Sequence, residues 1–291
     1  MGFIVCEEFD VSSFVVTRSA KELRNLFSSF AKNMKIGLVP TMGFLHGGHG
    51  ALLKKAREQC DVVIASLFVN PTQFGSDEDF GNYPRDEARD LEVLKREGVN
   101  ILYAPDTKEM YPTGLNITVT VSGLTERLCG LGRPGHFDGV TTVVSKLFAH
   151  CNPDIAYFGE KDYQQLKVIQ KMTREHNFKQ QIVGVPIVRE ADGLAMSSRN
   201  VYLNVEERRI APSLNAVINE VSKELQTNGN IKVLCNWGCN RLLSKGFSRV
   251  EYFEICDSET LQPALKYSSD LRILVAAWLG NTRLIDNRKV D

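Results

Sequence analysis

The chain has 291 residues, with 35 Lys and Arg against 35 Asp and Glu, 43% hydrophobic residues and 24% charged ones. That length allows one large core or two unequal ones. The charge balance argues against a nucleic-acid binder, which carries a basic excess or stripe, and no stretch approaches the roughly 18 apolar residues of a membrane span. The start, Met1-Gly2-Phe3-Ile4-Val5-Cys6, runs straight into Glu7, Glu8 and Asp10 and lacks the basic start and apolar centre of a secretory signal. The seven cysteines are scattered and read as free thiols of a reducing cytoplasm. Cys235 and Cys239 lie four apart, without a second pair or a nearby histidine to complete a zinc set.

Short apolar runs alternate with amphipathic stretches. In chain order the pattern predicts a helix over 20–33, a strand over 36–39, a helix over 49–60, a strand over 62–69 and a helix over 84–97. Strands over 101–103, 155–158 and 181–185 follow, with helices over 137–149 and 163–174 between them. Pro84 in a first helical turn and Gly98 just past a helix end suit the third helix. This repeat implies an α/β fold, an open parallel sheet with helices on both faces. After Val188 the pattern changes. A polar stretch over 189–200 precedes a helix over 205–225, the turn Thr227-Asn228-Gly229-Asn230, and strands over 250–255 and 272–277. The chain is therefore expected to comprise a domain over 1–187 and a smaller C-terminal α+β domain over 188–291 that closes over the active site.

Sites in open α/β sheets gather outside the carboxyl ends of strands. Three segments fall there. Pro40-Thr41-Met42-Gly43-Phe44-Leu45-His46-Gly47-Gly48-His49 carries two of the five histidines one helical turn apart. Its glycines let backbone approach a ligand, and the helix start offers N–H groups and a positive dipole end to phosphate. The same pair would also read as satisfied surface histidines or as half of a metal site. Asn70-Pro71-Thr72-Gln73 follows the second of these strands. Gly159-Glu160-Lys161-Asp162 follows another, where Lys161 would reach phosphate and Asp162 a ribose, unless the turn is only a solvated loop. Of Gln164 and Gln165, about 100° apart on a helix, at most one faces the site. Met196-Ser197-Ser198-Arg199-Asn200 reads either as a capping segment or as a triphosphate clamp, since arginine grips phosphate bidentately. Arg133, in a glycine-rich loop, is a further candidate clamp. Neither a GxGxxG after a strand nor a GxxxxGK[ST] occurs.

These segments, with Phe68 to Phe74, Tyr83-Pro84-Arg85, Phe158 to Gln165, Arg189 to Asn200 and the closing Gly280 to Asn287, together resemble the pantoate–β-alanine ligase family. The resemblance runs from about Lys35 to Asn287. It implies a Rossmann-like nucleotidyltransferase fold and ATP-dependent condensation of pantoate with β-alanine through a pantoyl adenylate, with Mg2+, releasing AMP and pyrophosphate. It places the family's phosphate-contacting histidines on His46 and His49, its phosphate lysine on Lys161 and its ribose aspartate on Asp162. Its mobile clamp falls on Ser197, Ser198 and Arg199, and its pantoate glutamines fall on Gln73 and Gln165. Pro40, Thr41, Met42, Gly159 and Met196 complete the expected ATP site, and Asn70, Tyr83 and Arg133 line the cleft. The family is usually a cytoplasmic homodimer.

Two residues depart from the family pattern. Gly47 stands where glutamate is usual and Gly50 where leucine is usual, which weakens the start of the signature helix. Asp86, Glu87 and Asp90 lie where a magnesium-bound phosphate would be near, without forming a defensible metal site. Alternatives are a related adenylate-forming enzyme with another acceptor, a non-catalytic protein keeping the fold, and a tRNA synthetase. Gln73 with Gln165, the intact phosphate-contacting set, and the short neutral chain weigh against these in turn.

Overall fold

The computed structural model describes residues 13–31, 33–227 and 229–290. The readings of Met1 to Cys6 with Glu7, Glu8 and Asp10, of Lys32 and of Asn228 fall outside them. In chain order the elements are β1 (Val15–Thr17), α1 (Ala20–Phe27), β2 (Ile36–Thr41), α2 (Gly47–Gln59), β3 (Val62–Leu67), a 3-10 turn (Pro71–Gln73), α3 (Glu87–Arg96) and β4 (Ile101–Tyr103). Next come α4 (Thr107–Met110), α5 (Cys129–Gly132), α6 (His136–Cys151), β5 (Ile155–Gly159), a 3-10 turn (Glu160–Asp162), α7 (Tyr163–Glu175) and β6 (Gln181–Val185). A third 3-10 turn (Ser198–Tyr202), α8 (Val205–Ile210), α9 (Ser213–Gln226), α10 (Ile231–Ser244), β7 (Arg249–Asp257), β8 (Leu271–Leu279) and β9 (Thr282–Lys289) complete the chain.

Contacts divide these elements into two compact units. One takes the described residues up to Val121 with Gly135–Gly159 and Val168–Val185; the other takes Ser122–Pro134, Glu160–Lys167 and the described residues from Pro186 on.

The first unit holds a six-stranded parallel sheet flanked by helices, in the order β1-β4-β3-β2-β5-β6. β2 and β3 are almost wholly buried, as interior parallel strands must be. They pair in register from Ile36 opposite Val62 to Thr41 opposite Leu67. Leu52, Leu53 and Ala56 of α2 pack with Leu94 of α3 on Val39, Val63, Ala65 and Leu102 of the strands. Each fully buried leucine contributes about 1.5–3 kcal/mol. The strand order reverses at β2, which pairs with β3 on one side and β5 on the other, and this switch point aims the loop after β2 outward.

The second unit is built on the antiparallel sheet β7-β8-β9. Leu214, Val217, Ile218, Val221 and Leu225 give α9 one apolar face, packed with Phe253, Ile255, Ile273, Val275, Ala277 and Leu284 of the strands. α10 packs on β7, where a side chain at Gly238 would strike the Phe253 ring at 2.6 Å.

Most predicted elements stand, and their edges move. The third helix starts at Glu87 with Asp86 as its cap, so Pro84 precedes it instead of opening it. The first helix stops at Phe27, and β3 stops at Leu67. The single helix expected over 205–225 is two, because Pro212 has no N–H to continue the ladder. β1, α4, α5, α10 and β9 have no counterpart among the predicted elements.

Candidate active site

The chain leaves β2 at Thr41 and turns sharply before α2. Thr41 donates its hydroxyl to the Ser66 carbonyl at 2.7 Å and accepts the Gly43 N–H at 3.2 Å, so it anchors the turn to the neighbouring strand. Gly43 and Phe44 both have positive φ, +84° and +53°. For phenylalanine that is a strained state, held only where surroundings over-determine it. Asp90 does so. It is fully buried and accepts the Phe44 and Leu45 N–H groups at 2.7 Å each, while Arg89 lies over the Phe44 ring at 5.0 Å. Burial pushes the Asp90 carboxyl above its ordinary value against the pull of these N–H bonds.

His46 caps α2. Its Nδ1 accepts the Gly48 N–H at 3.1 Å, and the His49 Nδ1 accepts the His46 N–H at 3.2 Å. The rings lie with centroids 4.1 Å apart. An Nδ1 that accepts an N–H carries no proton, so both imidazoles are fixed as Nε2–H tautomers. The result is a helix start with two neighbouring ring donors, the rings tilted by 45°, which suits an anion. Gly50 sits inside this helix, and a Cβ there meets nothing nearer than Glu97 Cδ and Oε1 at 3.9 Å. Its neighbour is therefore a carboxylate and not a strand, and leucine's apolar contact has no obvious partner. Gly50→Ala should raise the unfolding free energy by about 0.5–1 kcal/mol through the lost backbone entropy. Denaturant midpoints measure this; a lowered midpoint would show that the backbone needs glycine there.

After β3, Asn70 caps the 3-10 turn that carries Gln73. Asn70 is 1% exposed, and its amide is spent inside the protein. It donates to Gln73 Oε1 at 3.2 Å and to the Gly139 carbonyl at 3.1 Å, and accepts Tyr111 OH at 2.8 Å. Burial raises the Tyr111 hydroxyl, which keeps it a donor. Gln73 donates to Met42 Sδ at 3.1 Å, and its carbonyl accepts from His136 Nδ1 at 2.8 Å. α6 approaches this turn so closely that a Cβ on Gly139 would lie 2.4 Å from the Thr72 carbonyl oxygen. Met42, Asn70 and Gln73 are thus brought together, with Asn70 as organiser. Tyr83 is buried, edge-on to Phe74 at 5.9 Å. Pro40 lies in β2 and is half-buried, and Gly159 ends β5.

In the second unit, Lys161 and Asp162 lie in the 3-10 turn before α7, Nζ to Oδ2 3.8 Å apart, with the lysine side chain 19% and the aspartate 48% exposed. Gln164 points inward. It donates to the Leu124 and Arg127 carbonyls at 2.7 and 2.8 Å and accepts the Cys129 N–H at 3.0 Å. Gln165 remains half-exposed, so only one of the two glutamines is left for a ligand. Ser197 caps the turn that holds Ser198 and Arg199, accepting the Arg199 N–H at 3.3 Å. Met196 is half-buried and Ser198 buried. Arg133 caps the C-terminal end of α5; the preceding Gly132 lies against Glu251, which pairs with Arg283 at 2.8 Å.

The three acids near Tyr83 are committed elsewhere. Asp86 caps α3, Glu87 pairs with Arg18, and Asp90 holds the histidine turn. Sequence reasoning missed Asp90 as an anchor, together with His136, Arg189, Arg272, Asp286 and Asn287. A signal existed for Asp90: it lies one turn before Leu94 on the buried face of an amphipathic helix, where an acid needs a partner.

Known proteins resemble this chain along nearly its whole length. The family described as pantoate–β-alanine ligase matches residues 15–289. The chain is 48% identical to a pantothenate synthetase of Rhodospirillum rubrum over 274 residues, covering 94% of this chain and 97% of that one. It is similar in fold to the crystal structure of pantothenate synthetase from Thermus thermophilus, with a TM-score of 0.90, 44% identity, and 95% and 99% of the two chains covered. It is also similar to a Francisella tularensis pantoate–β-alanine ligase, solved in complex with β-γ ATP and β-alanine, at a TM-score of 0.82, 33% identity, and 95% and 98% coverage. A parallel sheet with two ring donors at the switch point, and likeness of this extent, lead to one conclusion: the chain belongs to the pantoate–β-alanine ligase family.

Proposed function

We infer that the ATP-dependent joining of pantoate to β-alanine, the activity of this family, proceeds here through a pantoyl adenylate. The observation that carries this reading is the pair of imidazoles at the start of α2, whose Nδ1 atoms accept backbone N–H groups and whose Nε2–H groups are therefore donors. Such a pair suits charge on phosphate oxygens during attack at the α-phosphorus. A pantoate carboxylate oxygen attacks that phosphorus, and the bond to pyrophosphate breaks. The β-alanine amine then attacks the acyl carbon and AMP leaves.

We assign the triphosphate to His46, His49, Lys161, Ser197, Ser198 and Arg199, and the ribose to Asp162. Pro40, Thr41, Met42, Gly159 and Met196 complete the proposed ATP site. Gln73 and Gln165 are assigned to pantoate, since amides bond hydroxyls and carboxylate without adding a charge that needs pairing. Tyr83, Asn70 and Arg133 are assigned to the lining of the site. Mg2+ belongs to the proposal as the counter-ion of ATP. Among the described residues no group of three His, Cys, Asp or Glu is arranged to hold a metal ion, and Asp86, Glu87 and Asp90 are engaged, so phosphate oxygens are its natural ligands.

The test is incubation with pantoate and α-labelled ATP without β-alanine. Pantoyl adenylate and pyrophosphate are expected; pantoyl phosphate with ADP would overturn the mechanism. The proposal includes a cytoplasmic homodimer. The exposed Leu115 and Ile117 offer apolar surface for it, and among the described residues no helix is long and apolar enough to cross a membrane. Sedimentation velocity showing only monomer at micromolar concentration would remove the dimer.

A further inference from the structure

We propose that Asp286 and Asn287, adjacent on β9, are positioning residues that hold the Lys161–Asp162 turn and the loop leading to Ser197–Arg199 in fixed register. The proposal rests on the assignment of those residues to phosphate.

Adjacent strand residues project to opposite faces, so one dipeptide reaches two segments. Asn287 is 2% exposed. Its amide nitrogen donates to the Glu160 and Lys161 carbonyls at 2.9 Å each, using both N–H bonds on the backbone of the lysine turn. Its Oδ1 accepts from Arg272 at 2.5 Å, which fixes the orientation of the amide. Arg272 also pairs with Glu160 at 3.3 Å and stacks over Tyr163 with 3.6 Å from guanidinium carbon to ring centroid. The turn is therefore held at two carbonyls, one carboxylate and one ring, while the Lys161 side chain takes no part in the clamp.

Asp286 works on the other side. Its carboxylate accepts from Arg189 Nη1 and Nη2, at 2.7 and 2.9 Å. Arg189 also donates to the Gly193 carbonyl at 3.1 Å and bridges Ala195 by its backbone. The Met196 N–H closes the same loop on the Val188 carbonyl at 3.0 Å, immediately before Ser197. The Asn287 N–H donates to Asp286 Oδ1 at 2.7 Å, so the two anchors share one bond. β9 packs on both the Glu160–Asp162 and the Ser198–Tyr202 turns.

Asn287→Asp keeps the shape and replaces the double donor by an acceptor facing two carbonyls. Single-turnover formation of adenylate should slow about 100-fold, as a displacement on the order of 1 Å costs. Reaction of preformed adenylate with β-alanine should change far less. If Asn287 acts through Lys161, the double variant with Lys161→Ala is no slower than Lys161→Ala alone. Likewise Asp286→Asn should be non-additive with Arg199→Ala. Thermal unfolding accompanies each variant, and Asn287→Ala, which adds no charge, replaces the aspartate if that variant does not fold. A normal rate in the Asn287 variant beside a slowed Lys161→Ala, or full additivity in both cycles, overturns the positioning role alone. A normal rate in Lys161→Ala itself overturns the phosphate assignment instead.

Discussion

Lys161→Ala should slow pantoyl adenylate formation by about 10²–10³-fold, the scale for removing one pre-aimed donor from a developing anionic charge. The lysine sits in a short turn whose backbone is fixed by Asn287, and its ammonium pairs with the exposed Asp162 at 3.8 Å. A pair at that distance, half in solvent, contributes at most about 1 kcal/mol to stability. The variant should therefore unfold close to the wild-type midpoint. Single-turnover rates with labelled ATP, beside thermal unfolding, separate the two effects. A near-normal rate, or collapse of the fold, would reject the role.

Glu251→Gln should destabilise the second unit by up to about 3 kcal/mol, the low end for breaking a buried ion pair, because this pair is largely but not fully buried. Glu251 lies at the β-bulge in β7, and a bulge re-aims a side chain. There it accepts two bonds from Arg283, at 2.8 and 2.9 Å, and one from Trp278 at 3.3 Å. The two side chains are only 18% and 15% exposed. Burial alone would raise the Glu251 carboxyl; the Arg283 bonds and charge and the Trp278 donor outweigh it and hold the group below its ordinary value. A depressed folded value means that the stabilisation is complete above the ordinary carboxylate range and is lost as pH falls through the folded value. The unfolding free energies of wild type and variant should thus differ at pH 7 and converge in acid. Urea titrations followed by tryptophan fluorescence measure both; a gap that persists at low pH would contradict the ion-pair account.

The sheet was legible because its interior strands are apolar runs, and the turns after β2 and β5 because glycine, histidine and lysine cluster at strand ends. α10 was not legible: Val233, Trp237 and Leu243 are exposed while Gly238 is buried, so no single apolar face emerges from the order of residues. β9 hides for another reason. Asp286 and Asn287, on its opposite faces, are both buried, polar residues bonded to segments far away in the chain. Alternation that should mark a half-buried strand is broken where the strand does its anchoring. Asp90 is the same case on a helix. Residues that hold a site together through long-range hydrogen bonds leave little local trace, because their partners are set by the fold and not by neighbours in sequence.

The clamp on the lysine turn also has a direction in time. Asn287 and the carbonyl of Lys161 are separated by 126 positions. At roughly 5–20 residues per second, a ribosome needs about 6–25 s to make that stretch. During the interval the turn has been synthesised, but the strand that fastens its backbone has not. A nascent chain thus holds the lysine turn well before the strand that fastens its backbone exists, and the turn waits for a partner made much later.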